Sequence, residues 1–300
     1  MDETVGDKPL LSLRNINITF GGVRALRDVS FELRAGEVHC IAGENGSGKS
    51  TLIKIITGVY RPAGGAEIEF AGKRYAHMSP VQANAGGIKV IWQDLALFPE
   101  MSVAENIAFS EVVGRGVRLV DYDRIRAIAL AALARLGVSL DVDAPLKAFP
   151  IAQRQIVAIA RALVGEARIV FMDEPTASLT QSETDNLLAI VRNLAASGVA
   201  VVFVSHRLAE VLDISSRITV LRDGRLVGVY PAEGMTQSRI TELMTGRTFD
   251  AQVRAASRQD RPVVVAVDGL SRPGQFSDIS FEVRQGETLG ITVLLGSGRT

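Results

Sequence analysis

The chain has 300 residues, 47% of them hydrophobic and 22% charged, and its 33 Lys and Arg residues balance 33 Asp and Glu residues. This composition is typical of a globular protein of about two domains, without the basic excess that marks a nucleic-acid-binding surface. The only cysteine, Cys40, excludes an internal disulfide bond and fits a reducing compartment.

The N-terminal part of the chain predicts short β-strands around one glycine-rich loop. Apolar runs bounded by Gly, Pro or charged residues indicate strands at 11–20, 29–33 and 66–70. The apolar run Val38–Ala42 leads directly into the loop, and Leu52–Ile56 after it indicates a helix. This order of strand, loop and helix is the context that a phosphate-binding loop needs.

The loop matches the phosphate-binding pattern of Gly, four residues, Gly-Lys and then Ser or Thr. Its residues, all predicted to bind nucleotide, are Gly43, Glu44, Asn45, Gly46, Ser47, Gly48, Lys49, Ser50 and Thr51. Glycines let backbone N–H groups curl around a phosphate, and the helix N-terminus adds about half a positive charge. We expect Lys49 to reach the β- and γ-phosphates and the Ser50 hydroxyl to bind Mg²⁺.

Strands and helices alternate after the loop, which predicts a parallel α/β core. The predicted elements are strands at 88–92, 169–172, 199–204, 218–221 and 226–230, a helix at 125–136 ended by Gly137, and a helix that carries Leu187 to Leu194. Thr180 and Glu183 are spaced as a capping box for that last helix. Asp223-Gly224 indicates a hairpin between the last two strands.

Four polar side chains follow the predicted strands. Asp173 ends one strand and is expected to hold Mg²⁺, while Glu174 is expected to polarise the attacking water as general base. Gln93 ends another strand and is suited to reach both the metal ion and that water. His206 follows a third strand and can donate a hydrogen bond to a γ-phosphate. Downstream of a phosphate-binding loop, the two acids favour an ATP-hydrolysing site over a pair that merely caps a strand.

A repeat divides the chain into two parts. The segment Asp28–Glu37 reappears at Asp278–Glu287, 250 positions further on, and the match continues to Gly296–Thr300. We therefore expect a tandem nucleotide-binding protein. Its predicted parts are a first domain at 10–248, a linker at 249–261 and the truncated start of a second domain at 262–300. On this interpretation the chain is the front part of a longer protein.

The ordered set of motifs resembles the ATPase domain of the ABC superfamily. The resemblance rests on the loop 43–51, Gln93, the segment 153–163, residues 173–176 and His206, and it covers essentially the whole chain. It implies an α/β fold with a P-loop NTPase (RecA-like) core, an antiparallel β subdomain and an inserted helical subdomain at about 95–160. It also implies that Phe20 stacks on adenine, although a core position in its strand is an alternative.

Within the ABC superfamily, the sequence resembles one subgroup in particular. The repeat and the segments Glu174–Thr180 and Gly296–Thr300 resemble the double-headed ATP-binding subunits of bacterial importers for monosaccharides such as ribose, galactose and xylose. The resemblance implies a subunit that hydrolyses ATP with Mg²⁺ to energise import of a sugar or sugar-like solute. Its implied partners are a transmembrane permease, an extracytoplasmic solute-binding protein reached through the permease, and the second ABC domain of the same chain, with no nucleic acid.

The expected location is peripheral, at the cytoplasmic face of the inner membrane. The segment Met1–Asp7 lacks the apolar stretch of a signal peptide. Apolar runs elsewhere are far shorter than the ~20 residues of a membrane-spanning helix. We expect the segment 94–103, with Leu97, Phe98 and Met101, to transmit movement to the permease, and packing within the helical subdomain is an equally good interpretation.

Several positions depart from the family pattern. Phe149-Pro150-Ile151-Ala152-Gln153 stands in place of Leu-Ser-Gly-Gly-Gln, and Pro150 has neither a hydroxyl nor an N–H. Thr180 replaces an Asp, and Val293 and Arg299 replace the first Gly and the Lys of the second loop. Because the family's domains dimerise head to tail, Pro150 and Arg299 are expected in one composite site. We expect one hydrolytic site and one weak or structural site.

Two other functions fit the motifs less well. A soluble tandem ABC protein acting on ribosomes or DNA usually carries long charged insertions and a basic surface, which this chain lacks. A regulatory protein that binds ATP without hydrolysing it has no need of both Glu174 and His206.

Overall fold

The computed structural model describes residues 8–113, 120–247 and 261–291. Contacts divide the chain into two compact units, Met1–Thr248 and Phe249–Thr300. The predicted second phosphate-binding loop, with Val293 and Arg299, lies outside the described residues, as does most of the predicted linker. None of the helices in the described ranges has both the length and the apolarity needed to cross a membrane.

The elements of the first unit follow one another in the order expected for an α/β fold. They are β1 (Leu11–Phe20), β2 (Val23–Leu33), β3 (Val38–Ala42), α1 (Lys49–Ile56), β4 (Glu67–Phe70), β5 (Lys73–Tyr75), α2 (Pro80–Ala85), β6 (Ile88–Ile91), α3 (Val103–Val113), α4 (Tyr122–Arg135), α5 (Ile151–Ala162), β7 (Ile169–Asp173), α6 (Gln181–Ala196), β8 (Ala200–Val204), α7 (Leu208–Ile214), β9 (Arg217–Arg222), β10 (Arg225–Pro231) and α8 (Gln237–Thr245). A short 3₁₀ helix, Leu146–Ala148, precedes α5.

The central sheet has six strands in the order β10-β9-β3-β8-β7-β6, and all neighbours except β10 and β9 pair in parallel. All residues of β3 and β8 are buried. Helices cover both faces of such a sheet, so its inner strands are apolar on both sides. The predicted parallel α/β core is confirmed.

A second sheet, in the order β2-β1-β4-β5, is antiparallel throughout. Alternate residues of β1, among them Leu11 and Leu13, are fully buried against α1 and the central sheet. The helices α3, α4 and α5 form a third part, in which Ile107, Ala129 and Val157 share one apolar core. The antiparallel and helical parts of the predicted fold are thus both present.

Local signals in the sequence match the structure at two turns. The Thr180 side chain accepts from the backbone N–H of Glu183, and the Glu183 carboxylate accepts from the backbone N–H of Thr180, which is the predicted capping box. Asp223 and Gly224 have φ of 51° and 72° and join β9 to β10 as the predicted hairpin.

Some predicted starts are wrong. The helix α1 begins at Lys49, before the predicted start at Leu52, because its first turn is polar and adds nothing to the apolar pattern. Similarly, β2 begins at Val23 instead of 29 and α4 at Tyr122 instead of 125, because charged residues interrupt the apolar pattern in the first part of each element.

The second unit contains a hairpin of β11 (Val263–Arg272) and β12 (Phe276–Arg284). Its cross-strand partners repeat those of β1 and β2, with Val265↔Val283, Val267↔Phe281 and Leu270↔Ile279 in place of Leu11↔Leu33, Leu13↔Phe31 and Ile16↔Val29. The turns differ. The first hairpin continues beyond the Ile18↔Leu26 pair to Phe20↔Val23, whereas the second turns back directly after Arg272↔Phe276. The second hairpin is therefore shorter and has no counterpart of Phe20.

A buried polar cluster connects the antiparallel sheet to the central sheet. Arg217 on β9 donates from Nε and Nη2 to the Glu37 carboxylate at 2.6 and 2.8 Å, and from Nη2 to the Glu32 carbonyl of β2 at 3.3 Å. The His39 ring lies between Glu37 Oε1, at 3.1 Å, and Thr219 Oγ1, at 2.7 Å. Burial raises the pKa of Glu37, but the hydrogen bonds from Arg217 and His39 outweigh that and bring it to about 2.

We predict that Glu37→Gln lowers the free energy of unfolding by about 3 kcal/mol at pH 7, because it leaves the partly buried Arg217 guanidinium without its carboxylate. Since the folded pKa of Glu37 lies below the ordinary 4.5, its contribution is present above that pH and is lost as the pH falls from 4.5 to about 2. Urea unfolding at several pH values measures both effects.

The matched control is Glu69→Gln. Glu69 also forms ion pairs, with Lys8 at 3.3 Å and Arg74 at 3.5 Å, but these lie on the surface. Solvent screens such pairs, so this variant should unfold at the parent's urea concentration. Equal loss of stability in the two variants would contradict a special role for the buried cluster.

Candidate functional site

The site lies at the carboxyl edge of the central sheet. The adjacent strands β3, β8, β7 and β6 end there, and each is followed by a segment with predicted site residues. In open α/β sheets ligands bind at this edge, outside the carboxyl ends of the strands. The parallel order of these strands therefore brings together segments that are far apart in the sequence.

A pocket of about 230 Å³ opens at this edge. It is lined by Ala25, Asn45, Gly46, Gly48, Lys49, Ser50, Thr51, Gln93, Asp173 and Glu174. All of these except Ala25 are predicted site residues. Ala25 lies on β2, and sequence reasoning missed it because its role depends on contacts between sheets rather than on a local motif.

The other predicted residues occupy positions around the pocket. Gly43 and Glu44 begin the loop and turn their carbonyl oxygens towards Lys49, and the Ser47 hydroxyl is buried without a hydrogen-bond partner. Phe20 does not line the pocket; its ring packs on Tyr60 with centroids 5.0 Å apart and remains 42% exposed. His206 reaches the site through Glu174, because its Nδ1 lies 3.1 Å from Glu174 Oε1.

Lys49 supplies the positive charge of the loop. Its Nζ donates to the carbonyl oxygens of Gly43 at 2.6 Å and Glu44 at 2.9 Å. Burial lowers the pKa of Lys49, and the carboxylates of Asp173 and Glu174 partly offset this effect. The Lys49 ammonium group thus lies between two backbone carbonyls of the loop and two carboxylates. A bound phosphate can take the place of the carbonyls as its hydrogen-bond acceptor.

The two acids are neighbours with different environments. Burial raises the pKa of Asp173, and the adjacent Glu174 carboxylate raises it further, while Lys49 opposes the change. Glu174 has φ of 49°, in the left-handed region that an L-residue adopts only at a cost of about 1 kcal/mol. Its backbone N–H donates to the Val204 carbonyl at 2.8 Å, which holds it beside the end of β8.

Two glycines of the loop have no room for a side chain. A Cβ on Gly43 would lie 2.4 Å from both the Leu221 carbonyl oxygen and Ser47 Oγ. Gly48 has φ of 106°, and a Cβ there would lie 2.5 Å from Leu26 Cδ2. The loop is therefore shaped by close contacts on its inner side, while its outer backbone faces the pocket.

The comparisons agree with this geometry. Residues 26–177 match the family model described as ABC transporter. Ribose import ATP-binding proteins of Streptomyces avermitilis and Rubrobacter xylanophilus are 46% and 47% identical to the chain, each over 98% of it. The chain spans 58% and 57% of their respective lengths, a little over half of the relatives that it matches.

Solved structures show the same fold. An ATP-binding cassette of an ABC transporter in its ADP conformation superposes with a TM-score of 0.71 at 26% identity, over 80% of this chain and 100% of that one. A nucleotide-free cassette from an ABC transporter gives a TM-score of 0.69 at 26% identity, over 79% and 96% of the two chains. The predicted P-loop NTPase fold is confirmed.

The fold and the pocket define the class of the protein: a P-loop nucleotide-binding protein with its phosphate loop at the head of α1. The match to the family model identifies the family within this class. The chain belongs to the ABC transporter family, as the resemblance in its sequence predicted, and this is a family of ATP-binding proteins.

We predict that Gly43→Ala weakens ATP binding by about tenfold or more, or 1.4 kcal/mol, because the new methyl group displaces Ser47 and with it the loop backbone. The control is Gly64→Ala, since a Cβ on Gly64 meets nothing within 4 Å. Equilibrium binding of ATP is measured on both variants, with thermal unfolding to show that each is folded. Unchanged affinity in Gly43→Ala would contradict the role given to the loop.

Proposed function

We propose that the protein is the ATP-binding, ATP-hydrolysing subunit of an ABC importer for a sugar or sugar-like solute. The observation that carries the proposal is the convergence of Lys49, Gln93, Asp173 and Glu174 on one pocket, with His206 bonded to Glu174. The ribose import ATP-binding proteins that share 46% and 47% identity with the chain support the class of cargo.

The pocket suits Mg²⁺ bound together with a nucleotide. Its candidate ligands are the Ser50 hydroxyl, the Gln93 amide oxygen and the Asp173 carboxylate, all hard oxygen donors of the kind Mg²⁺ prefers. Within the described ranges no group of three His, Cys, Asp or Glu side chains could hold a metal by itself. This agrees with magnesium chemistry, in which phosphates and water complete the shell. When bound, Mg²⁺ neutralises charge on the phosphates.

The proposed chemistry divides among four side chains. Lys49 exchanges its hydrogen bonds to the loop carbonyls for hydrogen bonds to the β- and γ-phosphates. Its positive charge stabilises the negative charge of these phosphates. Glu174 accepts a proton from the water that attacks the γ-phosphate while the bond from the γ-phosphorus to ADP breaks, and Gln93 orients that water. His206 lies beside Glu174, where its imidazole N–H can donate to the γ-phosphate. Positioning and electrostatics of this kind supply most of the catalysis in phosphoryl transfer.

The proposed partners are a transmembrane permease and, through it, an extracytoplasmic solute-binding protein, which places this subunit peripherally at the cytoplasmic membrane face. The candidate contact is the segment 94–103. Its Phe98 ring is 43% exposed and packs on Phe109 with centroids 4.7 Å apart. The buried Asn106 binds the backbone of this segment at Phe98, with N–H and carbonyl contacts of 2.8 and 2.9 Å. A fixed loop with an exposed aromatic ring is suited to dock a partner helix.

We also propose that the first ABC domain, at 10–248, pairs with a second domain that begins near 262, and that the two composite sites differ. Support comes from two observations. Pro150 is the N-cap of α5 and makes no side-chain cap hydrogen bond, so this helix presents no hydroxyl to a γ-phosphate. In the hairpin of β11 and β12, no aromatic residue stands at the position of Phe20. Both features favour one hydrolytic site, built on Lys49, and one weak site.

We predict that Glu174→Gln in the full-length protein leaves ATP affinity within about twofold of the parent but lowers hydrolysis at least about a hundredfold, because an amide cannot accept the proton. Phosphate release and equilibrium binding measure the two quantities. The exposed Glu233→Gln is the control and should hydrolyse ATP at the parent's rate. Near-normal hydrolysis by Glu174→Gln would show that the base, or the assignment of the hydrolytic site, is wrong.

A further inference from the structure

Glu210 is a buried acid in the first turn of α7 that the proposed chemistry does not use. Only 8% of it is exposed, and an acid at this depth must have partners for both of its oxygens. Oε2 accepts from the hydroxyl of Thr176, and Oε1 accepts from Arg207 Nη1 at 3.0 Å. The two oxygens of Glu210 therefore accept hydrogen bonds from two different loops, one after β7 and one after β8.

Each partner lies beside a proposed catalytic residue. Thr176, which is 1% exposed, stands two positions after Glu174, and the backbone N–H of Ala177 donates to the Glu174 carbonyl at 3.3 Å. Arg207 follows His206 directly, and its Nη2 donates to the Ala177 carbonyl at 3.4 Å. Through these two hydrogen bonds, Glu210 connects the segment after β7 to the segment after β8.

His206 has little packing of its own to fix it beside Glu174. The His206 side chain is 64% exposed, and its contact with Glu174 is a single hydrogen bond of 3.1 Å. Glu174 adopts a backbone conformation that persists only where the surroundings enforce it. The placement of these two groups relative to one another consequently depends on the backbone on either side of them.

We infer that Glu210 is a positioning residue for ATP hydrolysis. Through Thr176 and Arg207 it sets the separation of the Glu174 carboxylate and the His206 imidazole, and it touches neither the nucleotide nor the reacting water. Small displacements of catalytic groups lower the rate of the chemical step much more than substrate binding. The inference rests on the proposed ATPase activity.

The test removes the hydroxyl donor rather than the buried acid. Thr176→Val keeps the shape of the side chain and leaves the ion pair of Glu210 and Arg207 intact, so the protein should fold. In the full-length protein we expect kcat to fall about tenfold, while KM for ATP stays within about twofold. Thr176→Ser restores the hydroxyl and should recover most of the lost rate, which a role in packing alone does not predict.

A double-variant cycle with Glu210→Gln tests the pathway. An amide supplies one acceptor oxygen in place of two and turns an N–H₂ towards Thr176 or Arg207. If Thr176 acts through Glu210, the double variant should lose no more rate than the worse single variant. The matched control is Asp213→Asn, on the same helix, which breaks an exposed ion pair with Arg192 and should leave kcat unchanged.

The outcomes separate this inference from the proposed function. A parent protein that does not hydrolyse ATP overturns both. A parent that hydrolyses ATP, together with a folded Thr176→Val that keeps the parent's kcat, overturns the positioning role and leaves the ATPase intact. In the third outcome, Thr176→Val loses both ATP affinity and thermal stability, and Thr176→Ser does not recover the rate. This result shows that Thr176 has a structural role only, and it also overturns the positioning role.

Discussion

The site depends on one constraint, the parallel pairing of β6, β7, β8 and β3 in the central sheet. Because the strands run the same way, their carboxyl ends meet at one edge, and the register decides which side chains face one another there. Asp173 is paired with Val204, and the backbone of Glu174 donates to the Val204 carbonyl at 2.8 Å. His206 follows two positions later and therefore reaches Glu174. The acid, the imidazole and the phosphate loop are brought together by sheet register.

The phosphate loop in turn depends on two elements outside its own motif. The hairpin turn at Gly224 donates to the Ser47 carbonyl at 3.2 Å and accepts from the Arg27 N–H at 2.7 Å. A Cβ on Gly224 would lie 2.6 Å from the Ala25 carbonyl oxygen, so this turn, the loop and β2 fit closely together. These contacts attach β2 to the central sheet at its carboxyl edge, which explains how Ala25 comes to line the pocket.

Sequence reasoning succeeded where a local pattern has a direct physical meaning. The phosphate loop, the strands buried on both faces, the capping box at Thr180 and the Asp223-Gly224 turn could all be predicted because spacing and residue type determine them. The start of α1 could not, because its polar first turn is absent from the apolar pattern. The packing of Phe20 on Tyr60 and the cluster around Glu210 could not either, since they depend on contacts between segments distant in sequence. Gln93 and His206 are intermediate cases: their positions at the ends of predicted strands suggested their roles, and the structure brings both residues to the sheet edge.

The role in import is tested most directly by identifying the proteins that copurify with the full-length protein from its own cells. An import ATPase should bring with it a polytopic permease that is released from the complex only by detergent, and the solute-binding protein associated with that permease then identifies the cargo. A protein recovered free of any membrane partner, or bound to ribosomes or DNA, would contradict the role in import and leave only the ATPase.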